Sequence, residues 1–306
     1  MIKPVLEPAA QAFADATANP PYLHGMSLEA GRRALAEVQR PDIHVPGITR
    51  QRVPGTRLTI FRPGNAEGRL PVVLYLHDDW VFGGELAHER LVRELAHVSG
   101  AATVFVDYSL SPEARYPVAL GEAEAALVWL RADGDAFGLD PSKIAVAGGN
   151  LAAALALAAR GRLAGQLLLC PATDASFDTG SYRDFAEGYF LRADGMRWGW
   201  DQYTADERQR AEITASPLRA TASQLAGLPP TLVITAEADV LRDQGEAYAA
   251  SLRQAGVPVT AVRYQGVIHG FLMLNALRGT QAAQAAIDQA GHFLTRVLSP
   301  VNRRDS

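Results

Sequence analysis

Short apolar runs that are rich in β-forming residues alternate with longer segments of helical periodicity from Val53 onward. This alternation is typical of a mostly parallel sheet covered by helices on both faces, because neighbouring parallel strands need a long crossover between them. The sequence therefore predicts an α/β fold built on one sheet. The predicted strands are an arm of an antiparallel edge hairpin, Arg57–Phe61, and six buried runs: Val72–Leu76, Ala102–Val106, Ile144–Ala147, Gln166–Cys170, Thr231–Thr235 and Val259–Tyr264.

Two stretches interrupt the alternation and are predicted to form a helical cap. Residues 1–50 carry helical patterns and form its N-terminal part, and residues 175–226 form an insertion that completes it. The predicted core then comprises residues 51–174 and 227–306, and it ends in a helix at about Thr280–Leu298.

The predicted cap insertion is rich in aromatic residues, among them Tyr189, Phe190 and Trp198. Such rings suit the apolar wall of a small-ligand pocket. They equally suit the cap's own core. We take these three residues as pocket candidates and leave both alternatives open.

Charge and composition exclude several classes of partner. The chain has 29 Lys and Arg against 33 Asp and Glu, without a block of like charge, so binding to nucleic acid or to a membrane is not expected. The single cysteine, Cys170, cannot form an internal disulfide, and the first residues lack the pattern of a secretory signal. We therefore expect a cytoplasmic protein, and a homodimer is possible.

Five motifs follow one another along the chain. They are Leu76-His77 followed by Trp80-Val81-Phe82-Gly83, the segment Asp107-Tyr108-Ser109-Leu110-Ser111-Pro112-Glu113, the segment Asp140-Pro141-Ser142-Lys143-Ile144-Ala145-Val146-Ala147-Gly148, then Asp239-Val240-Leu241-Arg242-Asp243, and His269-Gly270-Phe271. In this order they resemble the hormone-sensitive-lipase branch of the carboxylesterases from about Pro71 to Leu298. The resemblance implies an α/β-hydrolase fold, activity on short-chain esters of small alcohols or phenols, and no cofactor.

Asp239 and His269 are the predicted catalytic acid and histidine. Each comes just after a predicted strand, so both are expected at the carboxyl edge of the sheet, where open α/β folds place their sites. In an esterase the acid orients the imidazole, and the imidazole takes a proton from a serine. The alternative roles are a helix N-cap for Asp239 and a simple loop residue for His269.

The turn that should carry the serine is altered. The family's Gly-x-Ser-x-Gly elbow exposes a hydroxyl beside two backbone N–H donors, but this chain continues Gly148-Gly149-Asn150-Leu151. Counting without a gap places Asn150 at the serine position. The preferred alignment has the family's Gly-Asp-Ser-Ala-Gly-Gly-Asn-Leu run without its Asp-Ser-Ala-Gly middle. Under either alignment the nucleophile is absent, since an asparagine amide does not serve.

The loop expected to bind the oxyanion is altered too. Where the family has three glycines between histidine and tryptophan, this chain has only Asp78 and Asp79, between His77 and Trp80. Carboxylates there would place negative charge near a developing oxyanion and oppose its stabilisation.

Three functions remain open on the sequence alone. The chain is either a carboxylic-ester hydrolase whose activity is lost or vestigial, or a non-catalytic protein that binds a small ester or related ligand. In a third reading, His77, Asp78, Asp79, Asp239 and His269 converge on a cation for metal-assisted hydrolysis. The preferred reading includes no metal.

Overall fold

The computed structural model describes residues 3–299, so the outermost ends of the predicted first and last segments lie outside it. Its centre is one eight-stranded sheet. The strands are β1 Ile48–Arg52, β2 Leu58–Pro63, β3 Leu70–Leu76, β4 Ala102–Val106, β5 Leu139–Gly148, β6 Gly165–Leu169, β7 Thr231–Ala238 and β8 Val259–Ile268. They lie in the order β1-β2-β4-β3-β5-β6-β7-β8. The strand β2 pairs antiparallel with both β1 and β4, whereas the remaining neighbours are parallel.

All seven predicted strands are present, and the predicted α/β-hydrolase architecture is confirmed. The strand β1 was not predicted, because four of its five residues are exposed and it shows no apolar alternation. The strands β5, β7 and β8 extend beyond their predicted ranges, and Val259–Tyr264, which was predicted to be buried, contains no buried residue. The start of β5 is polar, yet Leu139 pairs with Leu70 of β3 and so extends the strand.

Helices cover both faces of the sheet. The helices are α1 Pro8–Ala16, α2 Leu28–Val38, α3 Glu85–Ser99, α4 Val118–Asp133, α5 Asn150–Ala158, α6 Gly180–Asp184, α7 Ala193–Tyr203, α8 Glu207–Ala211, α9 Ala222–Leu225, α10 Arg242–Gln254 and α11 Gln281–Leu298. Helix α3 packs against α11 on one face, and α4 packs against α5 on the other. Among residues 3–299, no helix combines the length and the apolar character that a membrane span requires.

The N-terminal segment is held against the core by polar contacts. The carboxylate of Glu7 accepts hydrogen bonds from the backbone N–H groups of Gln281 (2.8 Å) and Ala282 (2.9 Å), and so caps α11. In α2, the Arg32 guanidinium donates to the Val81 carbonyl (2.9 Å) and to both carboxylate oxygens of Glu113 (2.8 Å each). These contacts place α2 beside the loop that follows β3.

Candidate functional site

Asp239 and His269 form a hydrogen-bonded pair at the carboxyl edge of the sheet. Asp239 follows β7 directly and His269 follows β8, and these strands are parallel neighbours. The distance between His269 Nδ1 and Asp239 Oδ2 is 2.8 Å, and the Asp239 side chain is fully buried. The second oxygen, Oδ1, accepts the Leu241 backbone N–H at 2.9 Å. Asp239 is therefore positioned to orient the imidazole. It is not the N-cap of α10, because the N-cap position is Leu241 and α10 has no side-chain cap hydrogen bond.

The pKa of His269 reflects two opposing effects. Burial disfavours the imidazolium, but the charge of Asp239 and its hydrogen bond outweigh burial and raise the pKa above that of a free imidazole. Asp79 and Asp78 act in the same direction. The pair has the arrangement by which an acid steadies a protonated histidine during general-base catalysis.

The turn between β5 and α5 is only one residue long. β5 ends at Gly148, α5 begins at Asn150, and Gly149 alone joins them. Gly148 has φ +139°, and a Cβ there would collide with the Leu76 carbonyl oxygen. A Cβ on Gly149 would collide with the Asp78 carboxylate, which lies directly against the turn. Each glycine is therefore required by a close approach of a neighbouring group.

Asn150 is a buried structural residue in this geometry. Its Nδ2 donates to the carbonyls of Ala172 and Ala215, at 2.8 Å each, and the residue is 1% exposed. Among residues 3–299, its Oδ1 has no hydrogen-bond partner. The side chain thus ties the first turn of α5 to two neighbouring loops.

The serines near the motifs are engaged elsewhere. Ser142 donates to Asp140 (2.6 Å), Ser109 to Glu122 (2.8 Å), and Ser111 to the Ala114 carbonyl (3.1 Å). The Cys170 thiol lies near the pair, but burial raises its pKa well above the ordinary value, which disfavours the nucleophilic thiolate.

The loop after β3 contains a buried polar network. Asp79 Oδ2 lies 3.0 Å from His88 Nε2, and His88 Nδ1 lies 2.9 Å from the Tyr75 hydroxyl. Burial opposes the charge of Asp79, but the hydrogen bond to His88 more than offsets burial and lowers the carboxyl pKa. Burial raises the pKa of Asp78 well above the ordinary value, and the adjacent Asp79 raises it further. The two neighbouring carboxyls therefore have opposite shifts.

Trp80 and His77 are buried on either side of the two aspartates. Trp80 stacks on Tyr203 with ring centroids 4.4 Å apart, and its Nε1 has no partner among the described residues. Burial lowers the pKa of the His77 imidazole well below its usual range, and the nearby His88 contributes. His88 was not predicted. Its place between Ala87 and Leu91 on the buried face of α3 was the available signal.

We expect Asp78→Asn to stabilise the protein at neutral and alkaline pH. Because the folded-state pKa of Asp78 is raised, the folded chain holds a proton that the unfolded chain releases above about pH 4. Stability contributed by this group is therefore lost as pH rises from about 4 toward the folded-state pKa. Urea unfolding of chelator-treated protein should show a gain of about 1–3 kcal/mol at pH 8 that shrinks toward pH 4. Asp133→Asn, at an exposed position, is the control and should not change the free energy of unfolding at either pH. Equal stability of Asp78→Asn and the parent at pH 8 would contradict the raised pKa of Asp78.

A cavity of about 460 Å³ opens above these groups. Its polar lining includes Asp78, Asp79, Asn150 and His269, and its aromatic lining includes Tyr22, Trp80, Phe82, Phe190 and Trp198. The volume lies within the range of small-molecule sites.

Two of the three predicted aromatic pocket residues, Phe190 and Trp198, line this cavity. Tyr189 does not; it packs edge-on against Phe185 with centroids 5.2 Å apart. The reason is local, since Phe190 has φ +69° and consecutive side chains diverge there. Other rings of the segment, such as Trp200 and Tyr203, are fully buried core residues. The aromatic residues of the insertion are thus divided between the lining of the cavity and the buried core.

The five residues suggested for a cation site do not form one cluster in the described part of the chain. His77 and Asp79 gather with His88, whereas Asp239 and His269 gather with Cys170. Asp78 belongs to neither group. The predicted five-residue site is therefore wrong as a single set.

Comparison with known proteins agrees with this architecture. Residues 73–273 match the α/β hydrolase fold family. A putative alpha/beta hydrolase of Acanthamoeba polyphaga mimivirus is 33% identical over 96% of this chain and 89% of its own length. The ethyl acetate hydrolase of Pseudomonas putida is 36% identical over 71% of this chain and 72% of its own length.

Solved structures give the same result. A thermostable esterase from Pseudomonas putida superposes with a TM-score of 0.94 at 44% identity, covering 98% of this chain and all of the other. An esterase from Rhizomucor miehei has a TM-score of 0.89 at 38% identity, covering 96% of this chain and 97% of its own. The chain therefore belongs to the α/β-hydrolase family and, within it, to the carboxylic-ester hydrolase lineage.

Proposed function

We propose that this chain has lost serine-dependent ester hydrolysis and retains a cavity for a small ester or a related ligand. The observation that carries the proposal is the direct passage of β5 into α5 through Gly149 alone, without a hydroxyl-bearing residue at the turn. The pair of Asp239 and His269 is then a general base without a nucleophile to activate.

The geometry of Asn150 supports the shortened alignment over the gapless one. Its amide is buried and donates to two backbone carbonyls, as a structural residue at a helix start would. A side chain at the nucleophile position would instead stand clear of the sheet. In the shortened alignment Asn150 corresponds to the asparagine of the family's Gly-Asp-Ser-Ala-Gly-Gly-Asn-Leu run, and the serine segment before it is absent.

The expected losses in catalytic rate indicate that activity is lost and not merely weakened. Removing the nucleophile of a serine hydrolase costs on the order of 10⁶ in rate, and the residual activity depends on the oxyanion hole. Here Asp78 lies against the turn, where an oxyanion would need donors, and one missing donor costs about 10² to 10³ more.

The cavity supports retained binding of a small molecule. Its walls come from the N-terminal segment, from the loop after β3 and from residues 190–199. Phe13 meets Phe190 at 5.1 Å between centroids, and Phe82 stacks on Trp198 at 5.4 Å. We infer that residues 1–50 and 175–226 act together as the cap. Relatives described as an ethyl acetate hydrolase and an arylesterase point to small esters of alcohols or phenols as ligands.

Binding and turnover of 1-naphthyl acetate test this function together. We expect saturable binding by calorimetry without enzymatic naphthol release, and a roughly tenfold weaker Kd for Trp198→Ala because an aromatic wall is lost. Trp129→Ala is the matched control, since Trp129 packs on Phe137 outside the cavity. Absence of saturable binding would refute the retained site, and naphthol release that saturates with ester would refute the loss of activity.

A further inference from the structure

We propose that His77, Asp79 and His88 bind one divalent transition-metal ion of the zinc class. His77 and Asp79 lie on the loop after β3, and His88 lies in the first turn of α3. One ligand atom from each of the three residues lies within 4.8 Å of the other two. This site does not depend on the proposed function, because neither the loss of the serine nor ligand binding in the large cavity is needed for a metal to bind here.

The tautomer of His77 follows from its hydrogen bonds. The Tyr108 hydroxyl donates its single hydrogen to the His77 carbonyl at 2.8 Å. The same oxygen lies 2.9 Å from His77 Nδ1, and with the hydroxyl hydrogen assigned to the carbonyl, which can only accept, Nδ1 is the donor in that second contact. In the neutral ring, Nε2 then presents a lone pair.

The lone pair on His77 Nε2 accepts no hydrogen bond from the described residues. Within residues 3–299, His77 Nε2 is buried without a hydrogen-bond partner, and the residue is 0% exposed. A buried acceptor without a partner is costly, and native structures rarely tolerate one without a reason. A metal ion bound to Nε2 would satisfy it.

His88 completes a matching arrangement. Its Nε2 faces Asp79 Oδ2 at 3.0 Å, and its Nδ1 faces the Tyr75 hydroxyl at 2.9 Å. Each histidine therefore has a tyrosine oxygen at Nδ1, as metal-binding imidazoles usually have a partner that fixes their orientation. On metal binding, His88 Nδ1 would donate to Tyr75 and Nε2 would be free for the ion.

Two imidazoles and one carboxylate are a donor set that suits Zn²⁺, with bonds of about 2.0–2.2 Å and ligand atoms about 3.3 Å apart. The Asp79 side chain is 28% exposed and lies on a loop, so it is the member best able to adjust. A small cavity of about 30 Å³ is lined by Asp79 and His88 together with Asp78 and His269. It has room for a water as fourth ligand.

The other possible group, Cys170 with Asp239 and His269, is less suited to a metal. Asp239 Oδ2 and His269 Nδ1 already share a hydrogen bond of 2.8 Å, and Asp239 Oδ1 accepts the Leu241 N–H. A metal there would displace the hydrogen bond within the pair. At His77, Asp79 and His88 a metal would displace the contact between His88 Nε2 and Asp79 Oδ2 (3.0 Å), but it would also satisfy His77 Nε2, which has no partner among the described residues.

Metal content and affinity of the full chain test the proposal. Chelator-stripped protein is loaded with Zn²⁺, dialysed and analysed by mass spectrometry for bound metal, and the Kd is measured by competition with a chromophoric chelator. We expect about one Zn²⁺ per chain, with affinity lowered at least about tenfold in His77→Gln, Asp79→Asn and His88→Gln. His97→Gln, on the exposed side of α3, is the matched control and should bind as the parent does.

Co²⁺ substitution tests the ligand set separately from stability. The parent should give the visible bands of four-coordinate Co²⁺ without a sulfur charge-transfer band, and Cys170→Ser should leave the spectrum unchanged. Far-UV circular dichroism establishes which variants are folded, and only folded variants are compared; Asp79→Asn, the most conservative, decides if the histidine variants do not fold. Absence of stoichiometric metal, or binding that depends on Cys170 but not on Asp79, would overturn the proposal.

Discussion

Replacing Gly148 with alanine is expected to destabilise the protein by at least about 3 kcal/mol. Gly148 has φ +139°, which an L-residue rarely adopts, and the new Cβ would collide with the carbonyl oxygen of Leu76. That oxygen belongs to β3 at the centre of the sheet and pairs in register with Gly148, so it cannot move away without breaking the ladder. Urea unfolding followed by circular dichroism measures the loss.

Gly121→Ala provides the matched control for this prediction. Gly121 is exposed within α4, and a Cβ there would meet nothing within 4 Å. Alanine should stabilise that helix by up to about 1 kcal/mol. If Gly148→Ala unfolds at the same urea concentration as the parent, the described approach of β3 to the shortened turn is wrong.

Restoring both altered loops is expected to raise kcat/KM for p-nitrophenyl acetate by at least about 10³. The graft inserts Asp-Ser-Ala-Gly between Gly148 and Gly149 and replaces Asp78 and Asp79 with three glycines. The acid and histidine are already 2.8 Å apart, so the graft needs to supply only the nucleophile and the oxyanion donors. Initial rates at several ester concentrations give kcat/KM directly.

The same graft with alanine in place of the inserted serine is the control. This control has the same length and the same two rebuilt loops as the serine version. Its thermal unfolding shows whether the five added residues, four at the turn and one in the loop after β3, are tolerated. Only the serine version should gain activity. An equal gain in both versions, or none in a folded serine version, would contradict the interpretation of the turn as a shortened elbow.

Much of this site could be predicted from the sequence because its residues directly follow strands that are recognisable as apolar runs. Asp239 and His269 each follow a strand with a clear apolar run, and parallel neighbours bring strand ends together. The alteration at Gly148 and Gly149 could be predicted for the same reason, because it lies at the end of the strand β5. The buried strands were predictable, and so was β8, whose predicted stretch Val259–Tyr264 is not buried but keeps β-forming residues. The strand β1, with four exposed residues and no apolar alternation, was not.

The remaining parts of the site depend on contacts between distant segments. His88 lies in a helix, and only the folded loop brings Asp79 to it. Tyr22 reaches the cavity from the N-terminal segment, which has no motif of its own. Tyr189 and Phe190 are both aromatic, and only the backbone conformation at Phe190 determines which ring faces the ligand site.

The central claim, that the chain has no serine nucleophile, is tested most directly by labelling with a fluorophosphonate and measuring the intact mass. The structure predicts no adduct at concentrations that label an active serine esterase completely, because β5 passes into α5 through Gly149 alone. A stoichiometric adduct on one serine, formed together with loss of p-nitrophenyl acetate hydrolysis, would contradict the claim.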